Sequence, residues 1–290
     1  MNFLGSEIAV PLLQDARIVI LPVPYEQTTS YGKGTKDGPE AIIEASPNLE
    51  FYDEQLDMEP WRVGVHTAPR INCNQSQEEV FQDILNTVSK LVGQGKLVIT
   101  LGGEHSVTFP AFKGVSEHWT DLSVVQLDAH SDLRDKYKGS SFSHACVMRR
   151  VWEINNRITG IGIRSQSVEE KNFIQENNID IIYAHEIRSN GWNDKILKNV
   201  SSNVYLTFDV DYFDPSIMPA TGTPEPGGFM WYETLEFIKK LFVEKNVVAI
   251  DVVELCPNRN HVHAHFTIAR LIYKMIGFYA SGRKDGDEKS

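Results

Sequence analysis

Apolar runs rich in β-branched residues recur along the chain and alternate with amphipathic stretches of helical length. Seven runs have the length and composition of buried strands: residues 18–21, 97–101, 122–127, 158–163, 179–183, 204–208 and 247–253. Apolar side chains at helical spacing predict helices over residues 78–92, 169–176, 232–243 and 266–279. Strands that alternate with helices pair in parallel through right-handed crossovers, and the helices cover both faces of the sheet. The pattern therefore predicts an α/β fold of three layers (αβα) around a mostly parallel central sheet.

No internal repeat or low-complexity linker divides the chain, so we expect a single domain over residues 1–290. Apolar residues make up 41% of the sequence, which is enough for a sizeable core. Residues 282–290 are charged and contain glycine, and we expect them to form a frayed tail.

The charge and cysteine content exclude several classes of protein. The net charge is −11, with no basic block, which disfavours nucleic acid or an anionic membrane as a partner and suits a small cationic substrate. No stretch of about 18 apolar residues predicts a membrane-spanning helix, and no secretory signal begins the chain. Cys73, Cys146 and Cys256 lie far apart and form no C-x-x-C pair, so we expect reduced thiols. These features are typical of a cytoplasmic protein.

The glycine-containing segment 32–38 superficially resembles a nucleotide-binding loop. It has neither the G-x-x-x-x-G-K-[ST] pattern nor the G-x-G-x-x-G pattern. We interpret it as a loop that faces the substrate.

Aspartates and histidines follow directly after three of the predicted strands. In extended backbone, residues two apart point to the same side, so the members of each cluster are expected to converge. Open α/β sheets bind their ligands at the carboxyl ends of the strands. The residues concerned are His105 after residues 97–101, Asp128, His130 and Asp132 after residues 122–127, and Asp209 and Asp211 after residues 204–208.

Four aspartates in one crevice would repel each other unless they were protonated or neutralised by cations. Two divalent ions would balance this charge. Carboxylates with two imidazoles suit Mn²⁺, while zinc, iron, cobalt and nickel stay open as alternatives. A single aspartate at a strand end commonly caps a helix or a turn, but three such clusters together favour a site for two metal ions.

Three separate motifs carry a family resemblance. The strings GGEHS (residues 102–106), DAHSD (128–132) and FDVDYFDP (208–215) resemble the signatures of the ureohydrolase family, which includes arginase and agmatinase. TGTPEPGG (221–228) and DVVELCP (251–257) resemble its agmatinase-type members. The resemblance covers most of the chain and implies an arginase-like fold that assembles into homo-oligomers.

The resemblance also implies two Mn²⁺ ions per chain and assigns their ligands. Asp128 and Asp209 would bridge both ions. The remaining ligands would be His105 and Asp132 at one ion, and His130 and Asp211 at the other. The ions would lower the pKa of a water molecule that attacks a guanidino group, which gives urea and an amine.

Three residues are expected to act on the substrate. By the resemblance, Glu254 holds the guanidinium, for which a carboxylate is the natural bidentate partner. Asp132 would accept the proton of the attacking water and pass it to the leaving amine. His144 would exchange protons with solvent, a task to which an ordinary imidazole pKa of about 6.5 is suited.

The stretch 133–142 bears on the choice of substrate. It contains no asparagine, which arginase-type members bring to the α-carboxylate of arginine. Agmatine, which would yield putrescine for polyamine biosynthesis, is therefore our first prediction. Aminopropylagmatine, guanidinobutyrate and arginine are alternatives within the family. A single-zinc amine deacylase and a non-catalytic binding homologue are alternatives of other classes.

Other polar residues are expected to have no ligand role. His261, His263 and His265 alternate before the last predicted helix without a matching pattern of carboxylates, and we interpret them as a solvated or oligomer-facing segment. Asp214 and Asp251 are expected to support the site rather than to bind a metal.

Overall fold

The computed structural model describes residues 1–192 and 196–287, with side chains up to Gly282. Within that part of the chain, eight strands form one sheet in the order β2-β1-β3-β8-β7-β4-β5-β6, and every pairing is parallel. The predicted α/β class with a parallel sheet is confirmed. The strands are β1 (Ile18–Val23), β2 (Val65–Thr67), β3 (Leu97–Gly102), β4 (Leu122–Leu127), β5 (Ile158–Ile163), β6 (Asp180–Tyr183), β7 (Asn203–Asp209) and β8 (Asn246–Val253).

Helices cover both faces of this sheet. They are α1 (Gly38–Ala45), α2 (Gln77–Gly93), α3 (Thr108–Ser116), α4 (Val147–Ile154), α5 (Val168–Asn177), α6 (Ala184–Asn190), α7 (Trp231–Glu244) and α8 (Val262–Asp287). Ile18 and Ile20 belong to one core, with α1, α7 and α8, whereas Val19 and Leu21 belong to the other, with α2, α3 and α4. This alternation along one strand produces the three-layer arrangement. In the described residues, no helix has the length and apolar character that a membrane crossing requires.

The structure corrects several expectations about the elements. The edge strand β2 was not predicted, because it has three residues of which only Val65 is buried. Helices α1, α3, α4 and α6 were not predicted either. Helix α3 contains Pro110 and Gly114, residues that weaken a helix and so hid it from sequence prediction. Glycine is needed at 114, because a side chain there would come within 2.7 Å of the Leu85 carbonyl of α2.

The expected tail was wrong for residues 282–287, since α8 continues through Asp287 and no proline interrupts it. Residues 288–290 lie outside the described part of the chain.

The strand order places four strand ends side by side. Strands β3, β8, β7 and β4 are consecutive neighbours in the middle of the sheet. Because all of them are parallel, the residues that follow them emerge at the centre of one sheet edge. The motifs that begin at residues 102, 128, 208 and 251 therefore meet there.

Candidate metal centre

Two groups of buried or half-buried side chains converge at this edge. One group consists of His105, Asp128 and Asp132, and the other consists of Asp128, His130 and Asp211. Within each group the atoms that could bind a metal lie within 4.8 Å of one another. Asp128 belongs to both groups, so the two candidate ion positions are adjacent.

His105 lies at the centre of the first group. Its Nδ1 atom is 3.2 Å from Oδ2 of Asp128, 3.0 Å from Oδ2 of Asp132 and 3.4 Å from Oδ2 of Asp209. All four side chains are buried. Asp209 thus joins this group from the end of β7.

The second group is built around His130. Its Nδ1 atom is 2.9 Å from Oδ2 of Asp211 and 3.8 Å from Oδ1 of Asp128. The two oxygens of Asp128 therefore face different histidines, which is the placement that a bridging carboxylate needs. The two groups, with Asp209 beside the first, bring together all six residues that the sequence predicted as metal ligands.

The side chains converge partly through extended backbone, as expected, and partly through turns. Asp209 is the last residue of β7, and His130 forms a parallel bridge with Ser165 beyond the end of β4. Asp132, however, has a left-handed backbone with φ of 51°. Asp211 lies in the 3-10 turn Val210–Tyr212, and its N–H donates to Oδ1 of Asp209 over 2.9 Å. The expectation of extended backbone was therefore wrong for Asp132 and Asp211.

The glycine pair at the end of β3 positions His105. A side chain at Gly103 would come within 2.1 Å of the Tyr25 carbonyl, so only glycine fits where these two segments cross. The N–H of His105 then donates to Oε1 of Glu254 over 2.7 Å. This hydrogen bond joins the chain segments that follow β3 and β8.

The hydrogen bonds of His105 decide which nitrogen is available to a metal. Its Nε2 atom is 2.9 Å from Oγ1 of Thr207, whose hydroxyl donates to Oδ1 of Asp251 over 2.7 Å. Because that hydroxyl proton is committed to Asp251, Nε2 must be the donor and carry the ring proton. The buried Nδ1 atom, which has no hydrogen-bond partner in the described structure, turns its lone pair to three carboxylates.

An unprotonated nitrogen that faces carboxylate oxygens is repelled by them unless a cation lies between. The donor set therefore fits divalent metal ions. In the protein alone, burial and the neighbouring Asp211 raise the pKa of Asp128 to about 7. Burial and the same neighbour also raise the pKa of Asp209 well above its ordinary value. These carboxylates need either protons or cations for neutralisation.

A cavity of about 190 Å³ opens onto the first group. It is lined by His130, Asp132, His144, Asp209 and Glu254, together with Ser30, Arg134 and Tyr137 from the surrounding loops. A larger cavity of about 870 Å³, beside β2, contains none of the predicted site residues. The smaller cavity is therefore the candidate active site.

Glu254 follows β8 and points into this cavity from a backbone of φ 65°, which is uncommon for a residue with a side chain. Burial raises the pKa of its carboxyl to about 8. Because desolvation is the cause, a cation placed beside the carboxylate would stabilise its charged form. Glu254 is thus positioned to hold a cationic group.

His144 also lines this cavity. Its Nδ1 atom is 3.1 Å from Oγ1 of Thr28, and the ring of Tyr137 packs edge-on against it. Burial lowers the pKa of His144, so the ring is neutral at pH 7 and has a lone pair for a proton.

The other residues singled out in the sequence lie outside the two groups of candidate ligands. The rings of His261 and His263 lie edge to face near the start of α8, and neither metal-binding group in the described part of the chain includes a histidine from this segment. Asp214 accepts hydrogen bonds from the N–H groups of Gly227 and Gly228 and therefore shapes a loop. Residues 32–38 do not line the cavity among the described residues, although Ser30 just before them does.

Three residues that position the histidines were not predicted from the sequence. Thr207 contacts His105, Thr28 contacts His144, and Glu104 accepts a hydrogen bond from Thr28. Glu104 stood next to His105 in the first motif, and Thr207 lies two residues before Asp209 on the same strand. That spacing was a usable signal for Thr207. The sequence contains no comparable signal for Thr28, because its contacts are with residues more than 70 positions away.

The chain is similar to known proteins in sequence and in fold. Residues 16–277 match the arginase family. The N(1)-aminopropylagmatine ureohydrolase of a Synechocystis species is 42% identical over 295 residues, which cover 98% of this chain and 95% of that protein. The agmatinase of Pyrococcus horikoshii is 34% identical over 270 residues, with 92% and 94% covered. The crystal structure of the agmatine ureohydrolase of Thermoplasma volcanium superposes with a TM-score of 0.88 at 32% identity, over 96% of this chain and 94% of that one.

Proposed function

This chain belongs to the arginase family, and from that membership we propose a hydrolase that cleaves the guanidino group of an agmatine-type substrate. The products are urea and an amine. One observation carries the proposal: a buried set of metal donors shares a cavity with Glu254, a carboxylate placed to hold a cation. Binding and reaction then occur within one small space.

We assign two ions to the two groups of ligands. His105 and Asp132 would hold one ion and His130 and Asp211 the other, while Asp128 and Asp209 would serve both. Mn²⁺ suits this mixture of carboxylates and imidazoles. Bound ions of this kind lower the pKa of water, so that it becomes a nucleophile at neutral pH.

The protein side chains handle the substrate and its protons. Glu254 pairs with the planar guanidinium and orients its carbon, which water attacks while the bond to the substituted nitrogen breaks. Asp132 takes a proton from that water and gives it to the leaving nitrogen. His144 exchanges protons with solvent at the cavity. Overall, one guanidinium and one water yield urea and one protonated amine, so that atoms and charge balance.

Two substrates fit this scheme, agmatine and its aminopropyl derivative. Both are cations without a carboxylate, and acids dominate the cavity walls. Arg134 is the one arginine among the described lining residues, and its Nε atom lies 3.7 Å from Oε2 of Glu170. The 42% identity to an aminopropylagmatine ureohydrolase favours the longer compound as the better substrate.

Urea release from four compounds at equal Mn²⁺ loading tests this assignment. We expect aminopropylagmatine and agmatine to exceed arginine and guanidinobutyrate by about 100-fold in kcat/KM. The reason is that a carboxylate left unpaired in an acidic cavity costs on the order of 2–4 kcal/mol. Arginine or guanidinobutyrate as the best substrate would overturn the substrate assignment and leave the metal site unaffected.

Metal binding should depend on pH. Since burial raises the pKa of Asp128 to about 7 in the protein alone, the carboxyl holds a proton below this pH, and a metal must displace it. Mn²⁺ affinity should therefore rise by up to about tenfold per pH unit below pH 7, and more weakly from pH 7 to pH 8, where the Asp128 proton is already lost. Calorimetric titration in buffers of different ionisation enthalpy counts these protons. Equal affinity and no proton release at pH 6 and pH 8 would contradict this expectation.

Three further properties stay predictions from the sequence. We propose that residues 1–290 form one domain, that the chains assemble into homo-oligomers, and that the enzyme works in the cytoplasm. Sedimentation of the Mn²⁺-loaded protein measures the assembly directly.

A further inference from the structure

Glu104 is a fully buried carboxylate that none of the proposed steps uses. Its Oε2 atom accepts hydrogen bonds from the N–H groups of Gln27 and Thr28, each over 2.6 Å. Its Oε1 atom accepts from the hydroxyls of Thr28, over 2.7 Å, and of Ser106, over 2.6 Å. Glu104 is therefore the acceptor in all four of these hydrogen bonds.

The Thr28 hydroxyl connects this carboxylate to His144. Three atoms surround its Oγ1: Oε1 of Glu104 at 2.7 Å, the backbone nitrogen of His144 at 2.9 Å, and Nδ1 of His144 at 3.1 Å. The single hydroxyl proton goes to Glu104, since the carboxylate only accepts. Oγ1 must therefore accept both other hydrogen bonds, and Nδ1 of His144 must be a donor.

We propose that Thr28 and Glu104 are positioning residues that keep the proton of His144 on Nδ1 and leave Nε2 open to the cavity. Ser143, whose Oγ is 3.3 Å from the same Nδ1, has a rotatable hydroxyl and adapts to either tautomer. The ring of Tyr137, 5.9 Å away at 84°, keeps the imidazole plane in place. His144 thus has a fixed orientation as well as a fixed tautomer.

The same arrangement of an imidazole, a threonine and an acid orients His105 at the other end of the site. There Thr207 accepts from the imidazole and donates to the buried carboxylate of Asp251. In both cases a threonine and an acid place the proton on the nitrogen that points away from the reaction. These hydrogen bonds leave Nδ1 of His105 available to a metal and Nε2 of His144 available to a proton.

We expect the fixed tautomer to affect how His144 takes up a proton. When Nε2 takes a proton, the imidazolium is stabilised through Nδ1–H, Thr28 and the ionised Glu104. Without the threonine hydroxyl, Nδ1 loses an acceptor and the ring is free to adopt the other tautomer. The use of His144 in turnover rests on the proposed function, whereas the assignment of its tautomer does not.

A double-mutant cycle tests the positioning role. Thr28→Val keeps the shape and removes the hydroxyl, and should lower kcat for urea release by about 100-fold. Thr28→Ser is the matched control and should stay near the wild type. In a His144→Ala background, Thr28→Val should change kcat by no more than about twofold, since its target is gone. Equal losses in both backgrounds, at two metal ions per chain, would show a merely structural role and overturn the proposal.

Neutron diffraction from deuterated crystals of the Mn²⁺-loaded protein at pH 8 tests the tautomer without any variant. We expect deuterium on Nδ1 of His144 and none on Nε2. Deuterium on Nε2 with a bare Nδ1 would refute the assignment. If the wild-type protein released no urea from any guanidino compound, the proposed function would fail, and the neutron map would still decide the tautomer.

Discussion

Replacing Asp128 by asparagine is expected to lower the content of both metal ions and to reduce urea release by at least about 1,000-fold. Asp128 is the residue that belongs to both ligand groups, with one oxygen toward His105 and the other toward His130. Even a residue that only supports a metal ligand costs about 10- to 100-fold when it is removed, so the loss of a bridge should cost more. Elemental analysis and a urea assay on the same sample measure both effects.

Asp180→Asn is a suitable control for this variant. Asp180 is exposed at the amino end of the edge strand β6, opposite the edge where the ligands meet. The substitution makes the same change of charge, and should leave two ions and normal turnover. An Asp128→Asn protein that kept both ions and near-normal activity would show that Asp128 does not bridge.

Replacing Glu254 by glutamine should separate substrate binding from metal binding. Glutamine keeps the oxygen that accepts from the N–H of His105, but it removes the charge that faces the guanidinium. Loss of one partner from a buried charge pair costs about 2–5 kcal/mol, so kcat/KM should fall by about 30- to 5,000-fold. The metal content should remain at two ions per chain, because Glu254 is in neither ligand group.

The control for Glu254 is Glu176→Gln, which neutralises an exposed carboxylate near the end of α5. It should leave kcat/KM unchanged. The proposed role of Glu254 would be wrong if Glu254→Gln turned over substrate normally, or if its loss of activity followed a loss of metal.

The sequence predicted the main strands because strands buried in a parallel sheet appear as continuous apolar runs. The predicted run 122–127 coincides with β4, and the run 158–163 coincides with β5. Short elements escaped prediction because their stability comes from neighbours. Val65–Thr67 is a strand only because β1 pairs with it.

The convergence of the six candidate metal ligands was predictable because strand ends in a parallel sheet share one edge. The way they converge was not, since the left-handed backbone of Asp132 depends on contacts beyond the local pattern. The N–H groups of Met148 and Arg149 both donate to the Asp132 carbonyl, from residues 16 and 17 positions later. The Thr28 contacts to Glu104 and His144 are likewise invisible to any local periodicity.

The proposed reaction requires two metal ions in this site. It can be tested by adding Mn²⁺ stepwise to the metal-free chain while recording urea release from agmatine and aminopropylagmatine. We expect no urea without metal and full activity only at two ions per chain. Full activity with one bound ion per chain would contradict the two-metal site. The absence of urea from any guanidino compound at two ions per chain would contradict the reaction itself.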